Sequence, residues 1–127
     1  MRPDPSLKKT KRPIQNGLIA VSDRGGGEPP VVDATAGNVW STQSCILVIC
    51  LHEVDGEAEI TLAPAGEINS SYDMVFDGML ETPNQQIVIS TVEYEALLQT
   101  SVPDRLTRVR IWLSHPKWPK QVIVGWG

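Results

Sequence analysis

The segment LTRVRIWLS, residues 106 to 114, alternates without a break. Val109, Ile111 and Leu113 fall on one side, and Leu106, Arg108, Arg110 and Trp112 on the other. A period of two is the signature of a strand with one face against a core. Similar apolar runs and alternations, cut by Gly, Pro, Asn and Asp turns, recur along the chain. They predict strands at 17–22, 45–54, 57–63, 72–80, 86–91, 94–100, 106–114 and 121–125. Short strands at even spacing, with no sustained helical period, predict an all-β fold, a single antiparallel β-sandwich of about 7–8 strands.

CILVICLHEVDGEAEITL, residues 45 to 62, predicts a hairpin. Asp55-Gly56 suits a two-residue turn whose central positions need positive φ. Pairing outward sets His52 opposite Glu59 and Ile49 opposite Leu62. One face then carries Leu47, Ile49, Leu51, Ile60 and Leu62 as core, and the other His52, Glu57, Glu59 and Thr61. His52 beside Glu59 is read as a cross-strand contact. A metal site would need further ligands, and the other histidine, His115, lies far along the chain.

Asp73, Asp77 and Glu81 are spaced to share one strand face. Paired acids could hold Ca²⁺ or serve a hydrolase, but a solvated face fits a strand better than a coordinating loop does. Residues 90–100 carry a Ser90-x-x-Glu93 capping box, yet Glu93, Glu95 and Gln99 alternate with Tyr94, Ala96 and Leu98, which favours a strand. RGGGEPP, residues 24–30, lacks the Lys-Ser/Thr of a phosphate loop and reads as a turn. Val31–Asp33 suits a short strand, and Trp40, in the loop-like stretch 34–44, is expected to plug the core.

Composition adds the class. With 127 residues, 41% of them hydrophobic, the chain can bury a core without disulfides or metal. Its longest apolar run, Cys45 to Leu51, is too short for a bilayer span. Without a signal-like start, a cytoplasmic location is expected. Cys45 and Cys50 are expected to be reduced core residues, since on one strand they stand too far apart to bond. Residues 1–16, rich in Pro and Lys, read as a flexible basic arm on a sandwich domain at 17–127, so removal of residues 1–13 should leave a folded domain.

Charge narrows the partners. Residues 25–104 contain no Lys or Arg and 13 acids, while Arg105, Arg108, Arg110, Lys117 and Lys120 crowd the C-terminal end. An acidic surface disfavours nucleic acid as the main partner and suits a basic protein, whose encounter it would accelerate. The candidate binding residues are Glu57, Glu59, Asp73, Asp77, Arg108, Arg110, Trp112 and Trp118. Arg108 and Arg110 can stack on Trp112, and Trp118 is held in the two-proline turn HPKWPK. Trp and Arg are enriched at binding hot spots. No catalytic residues, metal or cofactor are predicted.

MVFDGMLETPNQQIVISTVEYEALLQTSVPDRLTRVRIWLSHPKWPKQVIVGWG, the C-terminal half, resembles small bacterial β-sandwich proteins, the competence-associated inhibitors of the DNA-entry nuclease (the ComJ family). The shared features are a strand, Pro-turn and short strand over Glu81–Ser90, a turn at Pro103, an aromatic-bearing strand, and a final apolar strand. The resemblance implies inhibition of a nuclease by protein–protein contact and carries over no catalytic residues. The expected function is therefore a non-enzymatic, acidic inhibitor or immunity-type protein that blocks a basic nuclease or toxin. The alternatives are an assembly module that oligomerises through exposed strands, a carbohydrate or small-ligand binder using Trp112 and Trp118, and a hydrolase using Asp73 or Asp77.

Overall fold

The computed structural model describes residues 7–33, 35 and 37–127. Among these residues ten strands form two five-stranded sheets. They are β1 (Lys8–Arg12), β2 (Leu18–Asp23), β3 (Val39–Ser41), β4 (Cys45–Ile49), β5 (Ala58–Pro64), β6 (Asp73–Glu81), β7 (Gln86–Thr91), β8 (Ala96–Ser101), β9 (Leu106–Leu113) and β10 (Gln121–Trp126). The first sheet runs β1-β5-β10-β9-β6 and the second β3-β4-β2-β7-β8. The all-β sandwich expected from the alternation is the fold observed. Among the described residues every pairing of these strands is antiparallel except β5 with β10, which is parallel.

The core lies between the sheets. Ile60, Leu62, Val109, Ile111, Val122 and Val124 meet Ile19, Val21, Ile46, Val48, Ile87 and Ile89, all fully buried. In β9 the period-two pattern places Val109, Ile111 and Leu113 inward, as the sequence indicates.

The hairpin at Asp55-Gly56 does not form. β4 belongs to the second sheet, between β2 and β3, and β5 to the first, between β1 and β10. Between them the chain crosses from one sheet to the other. Cys50 N–H donates to Gly17 O and Leu51 N–H to Pro119 O, both at 2.9 Å. A single 3-10 turn, Glu53–Asp55, follows, with His52 Nδ1 accepting from Val54 N–H at 3.2 Å. His52 therefore caps a turn and does not oppose Glu59. The face assignment in β4 also inverts: Ile46 and Val48 are in the core, whereas Leu47 stands opposite Trp40 on the outer side. CILVI is apolar at every position, so its parity cannot be read from pattern alone. Ile60, Leu62 and Leu51 are buried as expected.

Other expectations change as well. Lys8–Arg12, assigned to the arm, form β1 along β5, and Ile14 is fully buried. Of the expected arm, residues 1–6 lie outside the described residues. Val31–Asp33 is not a strand. Trp40 is half-buried on the outer side of β3, and Val39 is the residue of that strand that packs on the core. β8 starts at Ala96 because Tyr94 takes a left-handed conformation, φ 68. The Thr91 hydroxyl, not the Ser90 box, organises that turn by accepting from Glu93 and Glu95 N–H. Cys45 and Cys50 are free and buried, and burial pushes the Cys50 thiol up to about 12.

The glycine-rich loop has a structural reason. Buried Asp23 accepts from Gly25 N–H at 2.9 Å, Asn84 N–H at 2.9 Å and the Asn84 amide at 2.6 Å, tying the loop to the 83–84 turn. Gly27 runs so close to β4 that a Cβ there would lie 2.0 Å from Ser44 O. Burial opposes ionisation of Asp23 and is the largest single influence, but these hydrogen bonds together outweigh it and lower its pKa. A lowered folded pKa stabilises above the unfolded value of about 3.9 and is lost as pH falls through the folded value. Asp23→Asn should therefore cost about 1–3 kcal/mol at pH 6. Urea unfolding of both proteins from about pH 6 to pH 2 should show the difference shrinking once the pH passes below about 3.9. A pH-independent difference would remove the charge from this account.

Candidate binding face

β5, β10 and β9 present their alternate residues on the outer side of the first sheet. Registers set Lys11, Glu59 and Gln121 in one row, and Lys9, Thr61, Ile123, Trp112 and Met74 in the next. A third row holds Ala63, Gly125, Arg110 and Asp77. Five of the eight candidate residues, Glu59, Asp77, Arg108, Arg110 and Trp112, thus share this face.

Asp73 does not. A bulge at Val75 shifts the register between Met74 and Phe76, so Asp73 stands opposite inward-facing Leu113 while Asp77 stands opposite Arg110. One extra residue reverses side-chain parity, and the even spacing of Asp73, Asp77 and Glu81 conceals it. Asp77 and Glu81 do share a face.

Asp77 is engaged by Arg108 in a two-pronged contact, Nε to Oδ1 at 2.9 Å and Nη2 to Oδ2 at 2.7 Å. The Arg108 hydrogen bonds hold the Asp77 carboxyl below its ordinary range, and the pairing raises Arg108 in turn. Arg110 donates to Gly127 O at 3.0 Å. Neither arginine stacks on Trp112. Its indole instead lies over Gly125, where a Cβ would come within 3.0 Å of Trp112 Cζ3 and 2.7 Å of Ile68 Cδ1. A side chain there would crowd Ile68 first, and then the indole and the Ala65 backbone.

At the end of this face a cleft of about 630 Å³ opens between the start of β10, the start of β5 and the 114–120 turn. It brings Glu57, Glu59 and Trp118 together with Lys11, Asp55, His115 and Lys120. The turn is rigid for several reasons. His115 Nδ1 accepts from Lys117 N–H at 3.1 Å and Trp118 N–H at 3.0 Å, which places the ring proton on Nε2. The Trp118 ring stacks on His115 with centroids 5.3 Å apart. Pro119 O and Lys120 O accept from Leu51 and Glu59 N–H, so the turn is stitched to the β4–β5 crossover and to β5 itself. Trp118 is nevertheless 62% exposed. A large side chain held still in solvent is a preorganised contact, because little rotamer freedom remains to be lost on binding.

Glu59 lies 3.6 Å from Lys9, while no ion pair engages Glu57 among the described residues. Sequence reasoning missed Lys11, placed in the arm, and Tyr72, whose hydroxyl donates to Gln121 Oε1 at the cleft's edge. Neither carries a local pattern that would reveal it. A second hollow of about 720 Å³, beside Trp40, Ile49 and Pro116 on the second sheet, was also not foreseen. Among the described residues no group of three His, Cys, Asp or Glu side chains is placed to hold a metal. No helix among them is long and apolar enough to cross a membrane.

This arrangement of strands is found in other solved structures. One is ComJ of Bacillus subtilis, described as an inhibitor of the DNA-degrading activity of NucA. It matches over 94% of this chain and 93% of that one, with a TM-score of 0.64 and 17% identity. The chain has the ComJ fold. A second is the product of crocagin biosynthetic gene J, matching 94% of this chain and 95% of that one at a TM-score of 0.52 and 12% identity. No family model and no curated protein matches the sequence. The likeness to ComJ spans nearly the whole chain, beyond the C-terminal half in which the sequence shows the resemblance. The strands on which the sequence resemblance rests are β6, β7, β9 and β10.

Proposed function

We propose that this chain is a contact inhibitor, a non-enzymatic protein that blocks a basic nuclease or toxin by occupying its nucleic-acid groove. The observation that carries the reading is the cleft, where a rigid, exposed Trp118 stands beside Glu57 and Glu59. An aromatic anchor beside three carboxylates, Asp55, Glu57 and Glu59, which outnumber Lys11 and Lys120 in the cleft, suits a surface rich in Lys and Arg, since the indole face accepts a cation and the carboxylates answer its charge. The shared fold with ComJ, itself described as inhibiting a nuclease, supports the same reading.

The test is capture from a host extract on the immobilised chain at low salt, elution with salt, and a DNA-cleavage assay of the eluate. The expected result is a basic nuclease or toxin, released as screening shortens the electrostatic range to about 3 Å near 1 M salt. If no basic protein is retained and the chain elutes from a sizing column as a stable oligomer, the assembly module replaces the inhibitor.

A further inference from the structure

We infer that the open edge of β6 is a strand-addition surface, on which an extended segment of the partner protein is laid; this deepens the inhibitor reading and rests on it. Four strands end the two sheets: β1 and β6 in one, β3 and β8 in the other. Unpaired edges attract foreign strands unless shortened, charged or covered. β3 has only three residues. β1 carries Lys8, Lys9 and Lys11, and it is tied to β8's sheet by Lys8 Nζ donating to Gln99 O at 2.7 Å and Arg12 to Glu95 at 2.9 Å. β6 is nine residues long and has neither lysine nor proline; apart from the bulge at Val75, its protection is three acids, Asp73, Asp77 and Glu81, which repel an acidic strand and not a cationic one.

Its free side can be assigned atom by atom. Glu81 N–H points away from β9 and donates to Gln43 O at 2.8 Å, whereas the next residue, Thr82, donates to Arg105 O. Main-chain groups alternate sides along a strand. The N–H and C=O of Met79 and Asp77 therefore also face outward, and among the described residues no main-chain bond reaches them from that side. Alongside runs an apolar strip on the sheet's outer face: Met74, Met79 and Leu106 are each about half exposed. Open ladder groups beside pockets for alternate side chains are what strand addition uses.

Charge selects the occupant. Asp77 is already answered by Arg108, but Asp73 and Glu81, at the two ends of β6, have no ion pair among the described residues. The edge thus fits a segment with cations at its ends and uncharged residues between. A second copy of the chain fits less well. Antiparallel pairing centred on Asp77 opposes Asp73 to Glu81, and pairing centred on Met79 opposes Asp77 to Glu81. Centring on Gly78 stacks two glycines and faces Met79 with Asp77.

The experiment titrates the full chain, observed by amide NMR, with an acetylated and amidated seven-residue peptide bearing lysine at each end and alternating valine and threonine between. The Asp77 and Met79 amides should shift and gain exchange protection, more than Gly78 and Leu80, which are turned toward β9. Met79→Pro deletes an outward N–H and no β9 bond, a substitution that sheet edges tolerate. It should weaken peptide binding about tenfold or more. Met79→Lys, which leaves the main chain intact, should also weaken it, through repulsion of the peptide's ends, and serves if the proline variant unfolds. Val31→Ala, at an exposed position outside both sheets, should bind the peptide normally. Unmoved β6 amides at millimolar peptide, or Met79→Pro binding as the unaltered chain does, would overturn the inference. So would a concentration-dependent dimer that shifts the same amides without peptide, since it would assign the edge to a second copy. Because the probe contains no nuclease, these failures are separable from failure of the inhibitor reading. That reading stands if the chain and Met79→Pro inhibit DNA cleavage equally.

Discussion

Deleting residues 1–13 is expected to lower the melting temperature by about 10 °C, corresponding to a loss of about 3 kcal/mol. The deletion removes β1, all five residues of which are paired with β5. None of the side chains of KKTKR is a buried apolar group, so burial of β1 itself contributes little. Its contribution is the ladder, in which a few main-chain bonds are worth about 1 kcal/mol net each. The loss also exposes β5, whose Ala58, Ile60 and Leu62 are fully buried and whose sequence carries no lysine to discourage pairing. Aggregation on heating should accompany the lowered transition. Thermal unfolding followed by circular dichroism decides the matter. A melting temperature within about 2 °C of the full chain would show that β1 is a dispensable arm, as the composition of residues 1–16 suggests.

That reversal shows where sequence stops being informative. β9 and β7 are legible because alternation is a property of single residues, and each buries one side only. β1 is illegible because what holds it is its main chain, which every residue possesses. β4 is apolar on both sides: Ile46 and Val48 meet the core, and Leu47, opposite Trp40, is 8% exposed on the outer side. A continuous run gives no parity, so the strong local turn signal of Asp55-Gly56 decided a register that tertiary pairing overrules. Nor can local pattern announce the parallel pairing of β5 with β10, which joins residues about sixty positions apart. The candidate site follows the same division. Arg108, Arg110 and Trp112 share a face as their spacing says, while the bulge at Val75 removes Asp73 from it. The gathering of Glu57, Glu59 and Trp118 is a product of the fold.

Trp118→Ala is expected to leave the melting temperature nearly unchanged and to accelerate dissociation of the partner about thirtyfold, the equivalent of roughly 2 kcal/mol. The side chain is mostly exposed, so little burial is lost on truncation. The turn keeps its shape because alanine retains the N–H that His115 Nδ1 accepts, and Pro116 and Pro119 still restrict the backbone. Glu57→Lys should act on the other rate. Its charge lies at the rim, where it steers encounter, so association slows and the slowing fades with added salt. Reversing Glu59 as well adds to the effect, because it also leaves Lys9 without its partner and sets a second cation beside it. Equal effects on both rates from either substitution would deny Trp118 and Glu57 their separate roles.

Whether the chain is an inhibitor is decided by the rate of DNA cleavage by the captured partner as the purified chain is titrated against it. Activity is expected to fall to zero at one chain per nuclease, with the Glu57→Lys, Trp118→Ala double variant requiring a large excess. Full cleavage at saturating chain, or inhibition as strong from the double variant as from the unaltered protein, would contradict it.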